Sequence, residues 1–170
     1  MSLQSKSLRG IIVLAALLAL VIVGNSLRET ENTPENLDTP PLPEGAIPIY
    51  QDDVLVGAID VNLLEALPET SFVDDEEGQT QHGWLLDDIL PSILDTNDFT
   101  PETTFLISSS TRDKSAEVTW AQINETENFV MFDLSGRGTL KLVSKSIDDL
   151  DERDEWVQDV DRINIVRAAE

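Results

Sequence analysis

Apolar residues fall into three regimes along the chain. They run unbroken from Gly10 to Gly24, almost vanish from Asn25 to about Pro48, and return in short periodic bursts from Ile49 to Val166. The bursts predict the fold. YQDDVLVGAIDV alternates and ends in a helix-like NLLEAL stopped by Pro68. SFVDDEEGQTQHGW reads as two strands around an acidic turn ending at Gly78, and LLDDILPSIL as a helix interrupted at Pro91. TTFLISSS and SAEVTW are β-rich runs joined by the turn TRDK, and WAQINE is a short helical turn. ENFVMFDL and TLKLVS read as strands joined by the tight turn SGRG, RDEWVQDV as a helix and RINIV as a closing strand. Strands and short helices interleave without long crossover helices, so the expected domain, 49–166, is α+β with a mixed β-sheet. No repeat is evident, and 167–170 is a tail.

The unbroken apolar run changes the picture from a free domain to an anchored one. Gly10–Gly24 lacks any polar residue and follows Lys6 and Arg9. About 20 residues cross a hydrocarbon core. The expected helix therefore spans 10–27 with its flanks, Arg9 snorkelling to the interface. A cleavable secretory signal has the same basic start and apolar length, but no clean small-x-small site follows here. With Lys6 and Arg9 before the helix and Glu29, Glu31 and Glu35 after it, the positive-inside rule puts 1–9 in the cytoplasm and the domain outside it. Ala15, Ala16 and Ala19 are small residues suited to packing against a partner helix; Ala15 and Ala19 share one face. The stretch 28–48 is a proline-rich acidic tether, extending up to about 3.1 Å per residue.

Charge narrows the partners. The chain carries 33 acidic and 11 basic residues, a formal net charge of -22. Such a surface repels phosphate backbones, and no basic patch offsets it, so nucleic acid is excluded as a partner. A cationic protein would be attracted; the other reading is that acidity only keeps the domain soluble.

Candidate chemistry is sparse. Without cysteine the chain has no disulfide, thiolate nucleophile or Cys-ligated metal. The single histidine, His82, sits in QHGWLLDDIL beside Asp87 and Asp88, but no Gly-x-Ser-x-Gly elbow accompanies it. Ser108, Ser109, Ser110 and Thr111 form a polar loop after a strand, a common place for ligand contacts and equally an ordinary turn. Two acidic runs, Asp74-Asp75-Glu76-Glu77-Gly78 and Asp148 to Glu155, lack the alternating spacing of a calcium loop and read as solvated loops. No catalytic, metal or cofactor-binding residue is assigned.

The order of pieces resembles the molybdopterin-binding domain of sulfite-oxidase-type oxidoreductases. VNLLEALPET is similar to the family's short helix ending in Leu-Pro, and HGWLLDDIL to its Gly-x-x-Leu-x-Asp-Ile/Leu-Leu step. TTFLISSS with EVTWAQI, ENFVMFDLSGRGTLKLVS and RDEWVQDVDRINIV are similar to its later strands, turn and closing helix, so the likeness covers most of Val54 to Val166. The resemblance implies the fold but not the activity, because family enzymes bind molybdenum through a cysteine this chain lacks. It also implies that Gly83 sits in a turn, that Trp84 and Leu85 or Leu86 pack, that Asp87 and Asp88 occupy a first helical turn, and that His82 is an exposed turn residue. The expected function is a non-catalytic single-pass accessory subunit of a membrane complex, such as a respiratory or photosynthetic one. The alternatives are an acidic docking module for a basic soluble electron carrier and a pterin-binding oxidoreductase component.

Overall fold

The computed structural model describes residues 41–134, 138–148 and 150–166. The expected membrane helix at 10–27, with Ala15, Ala16 and Ala19, lies outside the described residues, as do most of the tether and the 167–170 tail. Among the described residues no helix is long and apolar enough to cross a membrane.

The domain is α+β, with two sheets and few helices. Its first hairpin joins β1 (Ile47–Gln51) to β2 (Val54–Ile59). The turn residues Asp52 and Asp53 both take positive φ, 50° and 61°, the backbone of a tight hairpin turn. The run YQDDVLVGAIDV is therefore two strands, not one alternating stretch. Asp60 then caps α1 (Val61–Glu65) by accepting the Leu63 N–H at 2.9 Å.

The second hairpin pairs β3 (Thr70–Val73) with β4 (Thr80–Leu85), which runs directly into α2 (Leu86–Ile93). Pro91 does not stop this helix. It lies in the last turns, exposed, while Leu86, Ile89 and Leu90 stay buried on the other side. After a 3-10 turn, Thr96–Asp98, β5 (Thr104–Ser109) pairs with β6 (Lys114–Thr119). Thr119 and Gln122 form a reciprocal capping box at the start of α3 (Trp120–Asn124), a device worth about 1 kcal/mol. A second 3-10 turn leads to β7 (Met131–Leu134) and β8 (Leu140–Val143), and β9 (Arg162–Val166) closes the chain.

The first sheet has the order β2-β1-β9-β5-β6 and the second β3-β4-β7-β8. The first is mixed: β9 lies parallel to β1 and antiparallel to β5. The second is antiparallel throughout. Burial on β5 alternates, with Phe105, Ile107 and Ser109 inward, as a sheet wet on one side requires. One apolar cluster joins Ile49, Ile163 and Phe105 of the first sheet to Phe132 and Leu142 of the second, with α2 contributing Leu86, Ile89 and Leu90.

The helix expected over RDEWVQDV is absent. Trp156 belongs to a small cluster with Phe72, Met131 and Val143, whereas Val157 belongs to the main core. Successive side chains of an extended backbone point to opposite sides, and those of a helix do not. Val157 bridges Leu142 of β8, whose N–H donates to the Val157 carbonyl at 2.9 Å. This segment passes along the edge of the second sheet.

Candidate functional site

The QHGWLLDDIL stretch is scaffold, with two corrections to its expected layout. His82 is exposed as expected, but it stands on β4 opposite Ser71, not in a turn. Gly83 is also on β4, where β7 approaches so closely that a Cβ would lie 2.0 Å from the Phe132 carbonyl oxygen. Only glycine fits there. Leu86 is fully buried, Trp84 packs against the core, and Asp87 and Asp88 occupy the first turn of α2. Burial holds the Asp87 carboxyl above its ordinary range, and the charge of Asp88 adds to the shift.

The first acidic run is not simply a solvated loop. Asp74 is 3% exposed and organises the β3–β4 turn. It accepts the Glu77 N–H at 2.7 Å and the Gln81 side-chain amide at 2.8 Å. The Glu77 N–H is the main reason its carboxyl sits below the ordinary range; Gln81 and Arg153 contribute. Gln81 in turn accepts from Lys141 Nζ at 2.9 Å, and Lys141 pairs with Asp133 at 3.0 Å. Lys141 also lies 4.6 Å from the centre of the Trp156 ring, with Arg153 at 5.3 Å. Arg153 is anchored to Glu77 at 2.7 Å. This chain of charges straps the 153–156 segment over the second sheet. Each charged member has a structural partner, although Arg153 Nε and Trp156 Nε1 are buried without a hydrogen bond.

The polar loop after β5 is likewise committed. Ser109 is buried and accepts the Arg112 N–H at 3.3 Å, and the Ser110 N–H donates to Asp161 at 2.8 Å. The Ser110 hydroxyl also bonds Asp161. Arg112 reaches Asp159 at 2.6 Å, and Asp159 also accepts the Thr139 hydroxyl. These bonds tie the β5–β6 turn to the entry of β9. The two hydroxyl–carboxylate contacts in this group, Ser110 with Asp161 and Thr139 with Asp159, join separate segments of the chain, and no histidine stands beside either.

Two hollows open in the surface of the domain, the second of them bordered by the Asp159–Asp161 network. The larger is an open groove of about 770 Å³ edged by Glu117, Glu125, Asp148 and Glu155, with Gln122, Asn128 and Ser146 between them. Of the second acidic run it includes Asp148 and Glu155; Asp149 lies outside the described residues. Among the described residues no three histidine, aspartate or glutamate side chains gather as a metal site requires.

The smaller hollow, of about 310 Å³, opens between α1 and the ends of β7 and β8. Ile47, Ile59, Leu64, Trp84, Leu140 and Val160 line it, with Asp60, Thr111, Asp159 and Asp161 among its polar groups. Of the residues singled out from sequence only Thr111 and Trp84 reach it. Its other members are scattered over more than a hundred positions, so no local motif marks them. The one local signal was Asp60 before an apolar run, which reads as a helix cap and is one. No protein-family model matches the chain, and no curated protein matches it in sequence.

Proposed function

We propose that the chain is a non-catalytic, single-pass accessory subunit of a larger membrane protein complex, of the respiratory or photosynthetic electron-transfer kind. Its acidic α+β domain stands outside the cytoplasm on a proline-rich tether. The observation that carries this reading is the uncharged run Gly10–Gly24 behind Lys6 and Arg9, ahead of a chain holding every one of the 33 acidic residues. The domain supports it in a second way: Asp74, Ser109, Ser110 and Asp161, the polar groups most suggestive of chemistry, hold turns and strands together. A degenerate relation to the molybdopterin-binding domain is part of the proposal. It draws on the element order: the Leu-Pro-terminated α1, the β4–α2 step, and β5, β6 and α3 in succession.

Replacing both Ala15 and Ala19 with Leu tests the reading, because hydrophobicity is kept while close helix approach is blocked. Wild-type protein purified in mild detergent should co-migrate with integral membrane subunits identifiable by mass spectrometry. The double variant should stay in the membrane fraction and leave the complex. Wild-type protein migrating alone would overturn the accessory-subunit reading, as would stoichiometric molybdenum in the purified chain for the non-catalytic one. A second reading, a docking module for a basic soluble electron carrier, is favoured by the groove between Glu117, Glu125, Asp148 and Glu155. It requires an association rate that falls steeply with salt.

A further inference from the structure

The hollow beside α1 combines an apolar wall with two carboxylates that are only half used. Ile59, Leu64 and Leu140 form that wall, and Trp84 adds an indole. Asp60 caps its helix through Oδ1 alone, and Asp161 holds Ser110 through Oδ2 alone. Each carboxylate keeps a second oxygen with full acceptor capacity. Two large apolar side chains at the hollow, Val61 and Leu134, are 55% and 46% exposed.

We propose that this hollow binds a small organic cation, an apolar ring or short chain bearing an amine or quaternary ammonium group. Three properties select that class. The volume, about 310 Å³, lies at the small end of ligand cavities, which run from roughly 300 to 1,000 Å³, so it suits one ring or short chain and excludes a large cofactor. The walls bind an apolar body, while two carboxylates and an indole favour a positive end, since ammonium groups are attracted both to carboxylates and to the face of tryptophan. The net charge of -22 raises the local concentration of cations and lowers that of anions. Asp60 and Asp161 reach the hollow from opposite ends of the sequence, one before α1 and one before β9. The site therefore exists only in the folded domain.

The test uses the full chain in neutral maltoside micelles, labelled with 5-fluorotryptophan. Its three tryptophans, Trp84, Trp120 and Trp156, report separately by fluorine NMR once Trp84 is assigned by Trp84→Phe. Benzyltrimethylammonium should move the Trp84 resonance saturably in the millimolar range and leave Trp120 and Trp156 in place. Benzyl alcohol, of similar ring but no charge, should bind about tenfold more weakly, a difference of about 1.4 kcal/mol. Benzoate should not bind. Asp161→Asn, which keeps an acceptor for Ser110, should weaken the cation roughly fivefold, the effect expected of one partly exposed charge pair. Val61→Trp should fill the hollow and abolish the shift. Leu134→Trp does the same from the other side, should the first variant fail to fold. No saturable shift with the cation would overturn the proposal, as would equal binding of cation and alcohol or wild-type binding by a folded filling variant. None of these outcomes bears on whether the chain co-purifies with membrane subunits.

Discussion

Phe132 and Asp133 are neighbours on β7, and they point to opposite sides of one sheet. Phe132 enters the large core with Leu142 and α2. Asp133 lies on the side where Gln81, Lys141 and Asp74 form a charged relay beneath Trp156. The first side is held by area and close packing, which tolerate substitution when volume and shape are kept. The second is a small apolar cluster, Phe72, Met131, Val143 and Trp156, bordered by buried charges. Removing one member there strands its partner in a poor solvent, so the cost of losing a piece exceeds what the intact pair contributes. The main core makes the domain stable; the relay fixes where the 153–156 segment crosses it.

The comparison breaks most severely where the two sides share a backbone. In Gly83→Ala the new methyl would sit 2.0 Å from the Phe132 carbonyl oxygen, and that atom belongs to a strand, not to a flexible side chain. β4 and β7 must separate, disturbing both faces together. A loss of about 4 kcal/mol is expected, at the exceptional end for one substitution. Chemical denaturation checks it, and an unchanged midpoint would mean that β4 and β7 are not paired in this register.

Trp156→Ala attacks the charged side alone. Trp156 is 4% exposed and covers Lys141, so its truncation should cost roughly 3–5 kcal/mol. Trp156→Phe should cost clearly less, because it keeps an aromatic surface under both cations. Equal losses in thermal melts would show that the indole's size, rather than its ring, seats this segment.

Acid separates the hydrogen-bonded carboxylate of Asp74 from that of Asp87, whose Oδ1 is buried without a partner. The Asp74 carboxyl titrates below its unfolded value of about 3.9, so its ionised form stabilises the fold above that pH. This contribution disappears as pH falls through the depressed value. Asp87 is shifted upward, so its charge opposes folding at neutral pH and the penalty lifts as acid protonates it. Asp74→Asn should lower stability at pH 7 by about 2 kcal/mol, with the gap to wild type closing below pH about 4. Asp87→Asn should be neutral to stabilising at pH 7 and lose any advantage on acidification. Stability curves against pH that run parallel for both variants and wild type would sink this assignment.

What the sequence made legible follows the range of the signal. The β-rich run of β5, the short helical turn WAQINE and Asp87-Asp88 opening α2 are short-range patterns, and each forms where expected. The Asp52-Asp53 turn was missed because two carboxylates in left-handed backbone lack the usual glycine or asparagine mark. RDEWVQDV misled because Trp156, Val157 and Val160 have a spacing that suits one helix face. Their separation between two clusters depends on β8 lying alongside, and no window of sequence contains that neighbour. Asp74 was obscured for a similar reason: three exposed acids follow it, and only the strand pairing buries it. The hollow beside α1 draws on six segments, and Asp60, legible only as a helix cap, is its one local signal.

The smallest expected effect belongs to the residue that first suggests chemistry. His82 lies on β4 opposite Ser71 of the edge strand β3, at the exposed end of the face that carries Trp84 deeper in. It belongs to neither the core nor the relay, so it is the control for both. His82→Ala removes the chain's one imidazole without opening a cavity or stranding a charge. Stability should change by no more than about 0.5 kcal/mol, the usual range for a surface position. Under the proposed accessory role the variant should also leave co-purification with membrane subunits intact, because neither the apolar run Gly10–Gly24 nor the acidic groove includes His82. A denaturation midpoint shifted beyond that range would place a buried partner at this strand end. Normal folding with loss of the associated subunits would instead put the docking surface at the β3 edge, beside exposed Val73 and away from the groove.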